Sequence, residues 1–175
     1  MRSGKPTTGI KPHLRCDQGS NLVEFAITII VYLLMLCAVI DFSRMLYTYH
    51  FVAHAAREGA RWAIVNGSTC KDDADGGSCP YANGAGQADV ATRVSNFVPP
   101  GINKANVTVT APCGVDGAPE CAASPLSCPK SADGSYNAPG CVVEVSVAYP
   151  FHFLVPLVST ATVNMTSTSQ MVIAH

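Results

Sequence analysis

One carboxylate and a set of cysteines are the residues of this chain best placed to do chemistry. Glu24 follows a basic stub ending in Gly19 and stands in Ser20-Asn21-Leu22-Val23-Glu24-Phe25, at the start of an apolar run that continues to Ile40. An ionised group in hydrocarbon is penalised, so it calls for a named partner. A cut after Gly19 would create one: the ammonium of a new N-terminal Ser20 would lie within about a turn of Glu24, or would reach the Glu24 of a neighbouring subunit. On its own helix, Glu24 also complements the dipole of an N-terminal turn, worth about 0.5 kcal/mol.

The chain has eight cysteines. Cys16 falls in the stub and Cys37 in the apolar run, leaving Cys70, Cys79, Cys113, Cys121, Cys128 and Cys141 beyond it. An even number outside the cytoplasm reads as three disulfides. Zinc favours cysteines paired two to four residues apart, and these are spaced more widely, so no metal and no cofactor is expected. Six cysteines allow 15 connectivities. The reading preferred here joins Cys70 to Cys79 across a loop rich in Gly and Asp, with Cys113, Cys121, Cys128 and Cys141 stapling residues 113–141.

The elements that must position these groups follow from composition and period. At 175 residues the chain has room for an anchor and one further domain. Only 13% of residues are charged and the formal net charge is -1, which disfavours a nucleic-acid partner, since that needs clustered Lys and Arg. Arg2, Lys5, Lys11 and Arg15 precede the apolar run without an acid among them, so the positive-inside rule leaves the stub in the cytoplasm. Residues 22–40 come close to the ~20 that a membrane-crossing helix requires. Small-residue cleavage chemistry is absent after Ile40, so the anchor is expected to be kept, with the rest of the chain exported.

Beyond Ile40, Met45, Val52, Ala56, Ala60 and Ala63 recur at three- and four-residue steps while Arg44, His54, Arg57 and Arg61 fill other faces. The membrane helix is thus expected to continue to about Val65, a rod of roughly 65 Å, with Asn66-Gly67-Ser68 as its stop and Gly67 available for a left-handed cap. Residues 66–86 read as a surface loop. Residues 87–98 read as a short helix ended by Pro99-Pro100. Strand composition marks residues 106–110, 142–149 and 161–173, with an apolar turn at 151–156. An antiparallel sheet of three or four strands needs cover for its apolar face, and the outer half of the first helix is the only large amphipathic partner. The expected fold is α+β and pilin-like: a long N-terminal helix on a small antiparallel sheet, with a disulfide-held excursion.

With these segments in view, the chain resembles the TadE-like family, minor pseudopilins of tight-adherence (Flp-type) pili. The resemblance rests on Gly19 with Glu24-Phe25-Ala26, on Asp41-Phe42-Ser43-Arg44-Met45-Leu46-Tyr47, on Ala55-Ala56-Arg57-Glu58-Gly59-Ala60-Arg61, and on Val145-Ser146-Val147-Ala148-Tyr149 with Pro150-Phe151. The middle, from Cys70 to Cys141, is not covered. Family members often carry a Pro a few residues into the span, whereas this chain has Ile29-Ile30-Val31, which predicts an uninterrupted helix.

The resemblance implies a type IV prepilin signal cut between Gly19 and Ser20 by a membrane aspartic prepilin peptidase, with Glu24 and Phe25 as assembly residues. It divides the chain into a leader (1–19), a transmembrane helix (20–40), its amphipathic extension (41–66) and an extracytoplasmic domain (67–175). It implies a bacterial inner-membrane protein, single-pass with its N-terminus cytoplasmic, that meets major and minor pilins and an assembly platform and enters the pilus at its tip or in its initiation. A membrane-anchored adhesin that binds a surface receptor through residues 113–141 is the alternative. An enzyme is not expected: there is no Cys-x-x-Cys and no Gly-x-Ser-x-Gly elbow.

Other charged and aromatic residues have plainer readings. Asp41 with Arg44 and His54 with Glu58 sit at ordinary helix-face spacings worth about 0.2–0.5 kcal/mol. Phe42, Tyr47, Tyr49, Phe51 and Trp62 fit an aromatic belt and core packing. Asp72-Asp73-Ala74-Asp75-Gly76-Gly77 lacks the Glu that completes an EF-hand loop. Gly59 inside an Ala-rich helix suggests close approach by another backbone, with a tolerated Gly near a helix end as the equal alternative.

Overall fold

The computed structural model describes residues 17–68, 81, 83–122, 128–131, 134–154 and 161–174. The expected Cys70–Cys79 pair and the acidic run at 72–77 lie outside them. The chain divides into two units, one ending at Ile40 and the other running from Asp41 to the C-terminus.

Helix α1 (Asp17–Val65) is continuous, as the absence of Pro predicts, and begins ahead of Gly19. In the second unit its inward stripe is built from small residues. Val52, Ala55, Ala56, Ala60 and Ala63 are all buried, while Arg57 and Arg61 face water. Gly59 belongs to that stripe: a Cβ there would stand 3.0 Å from Val94 Cγ2 and 3.1 Å from Val145 Cγ1. The close approach at Gly59 is made by two valine side chains and not by the backbone that the sequence suggested.

The end of α1 differs from expectation. Gly67 is not among the glycines with positive φ. Asn66 closes the helix instead, its Nδ2 and its backbone N–H both donating to the Trp62 carbonyl, at 2.9 and 3.2 Å. The side-chain amide thus adds a second donor to a carbonyl of the last turn.

Helix α2 (Gln87–Asn96) starts where the Gly86 N–H donates to Asp89 Oδ2 at 3.0 Å, a carboxylate accepting at the positive end of the helix. It buries Val90 and Val94 and stops at Phe97, two residues before Pro99. A 3-10 turn (Lys104–Asn106) follows, and here the structure corrects the expected strand at 106–110. Asn103 Oδ1 accepts the Ala105 N–H at 3.1 Å and turns the chain, so β1 (Thr108–Cys113) starts later and carries on through Pro112 past a register shift. An edge strand accommodates both Pro and a bulge.

Strands β2 (Val142–His152) and β3 (Thr162–Val172) complete an antiparallel sheet of order β1-β2-β3. Val143, Val145 and Val147 are fully buried under α1 and α2, and alternate with Glu144, Ser146 and Ala148 on the outer face. That outer face is tied by polar side chains: Gln170 Nε2 donates to Glu144 Oε2 at 2.7 Å and Thr168 Oγ1 to Ser146 Oγ at 3.2 Å. The expected apolar turn at 151–156 is overturned at its first two residues, because β2 runs through Pro150 and Phe151 to His152. Pairing with β1 ends where Thr108 faces Ala148, so the N–H missing at Pro150 costs that ladder nothing.

Candidate functional site

Four groups of side chains carry polarity or reactivity into this fold. The first is on α1 ahead of Asp41. Gly19 and Ser20 are exposed in the first turn of the helix, and a Cβ built at Gly19 meets nothing within 4 Å. Helix ends fray readily, because the first N–H groups have no intrahelical acceptor. Glu24 and Phe25 are both exposed; the Glu24 carbonyl accepts Thr28 Oγ1 at 2.9 Å, and its carboxylate has no partner among the described residues. The most apolar stretch of α1 is uncovered along its whole length and is long enough to cross a membrane.

The second group lies at the start of the second unit. Asp41 is buried, with 3% exposure, and its Oδ2 accepts the Leu154 N–H at 2.9 Å. Its Oδ1 meets the Arg44 guanidinium at 3.3 Å, and that guanidinium stands 5.6 Å from the centroid of the Phe151 ring. The spacing of Asp41 and Arg44 suggested an ordinary pair on a solvated face, whereas the carboxylate is a buried fastener between residue 41 and the end of β2. Only a long-range contact decides this, and nothing local in the sequence announces it. A cavity of about 260 Å³ opens beside it, walled by Arg44, Thr48, Ile102, Tyr149, Phe151 and His152. The expected His54–Glu58 pair is not what Glu58 makes, since its carboxylate faces Arg93 of α2 at 4.0 Å.

The third group surrounds Asn137, which sequence reasoning missed. Its side chain is buried to 1% and fully engaged: Oδ1 accepts from Ser131 Oγ at 2.5 Å and Ser135 Oγ at 2.9 Å, while Nδ2 donates to the Asn83 carbonyl at 2.6 Å. Its backbone carbonyl accepts the Ser68 N–H at 3.0 Å, just past the end of α1. Gly84 fits against it with φ +96°, where a Cβ would stand 2.7 Å from Asn137 Nδ2 and 2.8 Å from the Gly67 carbonyl carbon.

The fourth group is the cysteines. Cys113 and Cys121 form a disulfide that clips the end of β1 to the segment after it. Glu144 places a carboxylate oxygen within 4.8 Å of both sulfurs. Sulfurs bonded to each other offer no thiolate to a metal, and Glu144 is engaged by Gln170. Cys128 and Cys141 are thiols, half-buried and buried. Burial pushes the Cys141 thiol up to about 12, with the neighbouring Cys128 side chain, which favours the protonated form, the next cause. Cys37 is exposed on α1.

Residues 19–61 match the model of the TadE-like protein family, a stretch that opens at Gly19 and takes in Glu24, Phe25, Asp41 and the block from Ala55 to Arg61. The match covers about a quarter of the chain. No curated protein and no solved structure matches it. The sheet, the Asn137 cluster and every cysteine beyond Ile40 lie outside the matched residues.

Proposed function

We infer that this TadE-like chain is a minor pilin made as a precursor, cut between Gly19 and Ser20, and needed to initiate or tip a tight-adherence pilus. The observation that carries this reading is Glu24: a carboxylate without a partner among the described residues, on an uncovered apolar helix, a little over one turn after Gly19. In lipid such a group stays charged only if a cation meets it. The Ser20 ammonium freed by a prepilin peptidase is such a cation, and pairing it with the Glu24 of the next subunit sets the axial register of packed helices. Phe25 and the apolar face beyond it supply the contact surface toward major and minor pilins and the inner-membrane assembly platform.

The basic stub keeps the N-terminus in the cytoplasm and leaves the second unit outside the inner membrane. A folded domain with its own sheet and second helix would crowd a shaft of closely packed helices, which favours initiation or the tip. Intact mass and N-terminal sequencing of the membrane-extracted protein, from wild-type cells and from cells lacking prepilin peptidase, test the pathway. A new end at Ser20 that disappears in the deletion strain supports it; an unprocessed stub in both strains refutes it.

A further inference from the structure

We propose that Cys128 and Cys141 close a second disulfide once the domain has left the cytoplasm, and that this bond locks the Asn137 cluster onto the end of α1. The inference rests on the reading of residues beyond Ile40 as exported. Three observations carry it. Cys141 Sγ stands 3.6 Å from the carbonyl of Pro129, the residue after Cys128, and the Cys128 side chain is the neighbour that, after burial, most raises the Cys141 thiol. Both belong to the apolar core, Cys141 fully buried and Cys128 packed against it. With Cys113 and Cys121 already joined, Cys128 and Cys141 are the two thiols left beyond Ile40 among the described residues.

The oxidant is a protein dithiol–disulfide exchange catalyst in its disulfide form. Cys128 is the entry point because it is the more accessible of the pair. Its thiolate attacks one catalyst sulfur and gives a mixed disulfide with release of the other as thiolate; the Cys141 sulfur then attacks Cys128 Sγ and expels the catalyst. Two S–H bonds are lost and one S–S bond is gained, and two electrons and two protons leave with the reduced catalyst. Cys141 is a poor thiolate once buried, so the second step precedes final packing of the start of β2.

The ring closed by this bond contains Ser131, Ser135 and Asn137. Those residues receive the Ser68 N–H after α1 and reach the Asn83 carbonyl ahead of α2. Export and oxidation would therefore complete the junction at which α1, α2 and the sheet are held together. In the reduced chain the same junction is held by hydrogen bonds and apolar packing, without a covalent tie.

The test is peptide mapping by mass spectrometry on the full chain extracted in detergent from cells, with free thiols alkylated in denaturant before proteolysis. The expected result is a cross-linked Cys128–Cys141 peptide beside Cys113–Cys121, with Cys141 becoming alkylatable in Cys128→Ser. Finding Cys113–Cys121 closed while Cys128 and Cys141 are alkylated, or either one joined to Cys70 or Cys79, overturns the pairing and leaves export standing. Finding all four alkylated refutes export and the proposal with it. The lock is read by hydrogen exchange at the Ser68 amide, expected to speed up on the order of tenfold in the double variant Cys128→Ser/Cys141→Ser; an unchanged rate overturns it.

Discussion

Between residues 22 and 40, α1 turns Phe25, Val31 and Met35 outward at 67%, 62% and 65% exposure, whereas from residue 52 onward the same helix hides Val52, Ala56 and Ala60 at 1% or less. Residue size separates the two stretches as much as hydropathy does. The stretch from 22 to 40 uses large apolar side chains, which suit lipid tails and neighbouring helices. The outer stretch uses Ala and Gly, which let α1 approach the valines of α2 and β2 to within contact distance. A helix surface with no cover in its own chain is a surface for lipid or for other subunits. One sealed by valines is a domain core.

Substitutions should separate these two roles, and the largest effect is expected in the sealed region. Phe151→Ala removes a ring that is 3% exposed at the end of β2 and should destabilise the second unit by about 3–5 kcal/mol, measured by urea unfolding of the detergent-solubilised chain. Asp41→Ala comes next. It removes the charged acceptor of the part-buried Leu154 N–H and should cost about 1.5–3 kcal/mol, while Asp41→Asn, which keeps an acceptor, should cost less. Equal losses in the two variants would break the assignment of Asp41 as a fastener acting through its acceptor oxygen.

A smaller effect is expected from Gly59→Ala. The helix gains about 1 kcal/mol in propensity, while the new Cβ presses on Val94 and Val145, so the net change should stay within about 1 kcal/mol. A loss well above that would mean that the valines cannot yield and that the seam is tighter than its distances suggest. Glu24→Ala should leave the unfolding midpoint where it is, within about 0.5 kcal/mol, yet sharply reduce piliation counted by electron microscopy. A shifted midpoint with normal piliation would reverse the comparison between the two stretches.

Titration sharpens the account of the sealed region. In reduced protein the Cys141 thiol is held up at about 12, against an ordinary value of 9.0. The folded state thus keeps a proton that the unfolded state gives up. This contribution is whole below about pH 9 and is lost as pH rises toward 12. Reduced wild type should weaken over that window more steeply than reduced Cys141→Ser, in unfolding midpoints taken at stepped pH.

Periodicity by itself determined the main parts of this protein. The three- and four-residue recurrence from Met45 to Ala63 specified the inward face of α1, and the alternation of Val143, Val145 and Val147 specified the buried face of β2, because burial on one side imposes the helix or strand period directly on the residues. The Gly19–Glu24 spacing, the uncovered span and the family match at 19–61 were equally legible. Tertiary structure alone decided the rest. Asp41 looks like half of a helix-face pair until Leu154, 113 residues away, donates to it. Asn137 looks like a loop residue until Ser68, Asn83, Ser131 and Ser135 converge on it. His152 reads as turn until β3 pairs with it through Thr162. The pairing of Cys113 with Cys121 was one of many until the end of β1 brought them together. For Asp41 and Asn137 above all, a partner that satisfies the buried polar group comes from a distant part of the chain, and local pattern holds no record of which distant residue folding will deliver.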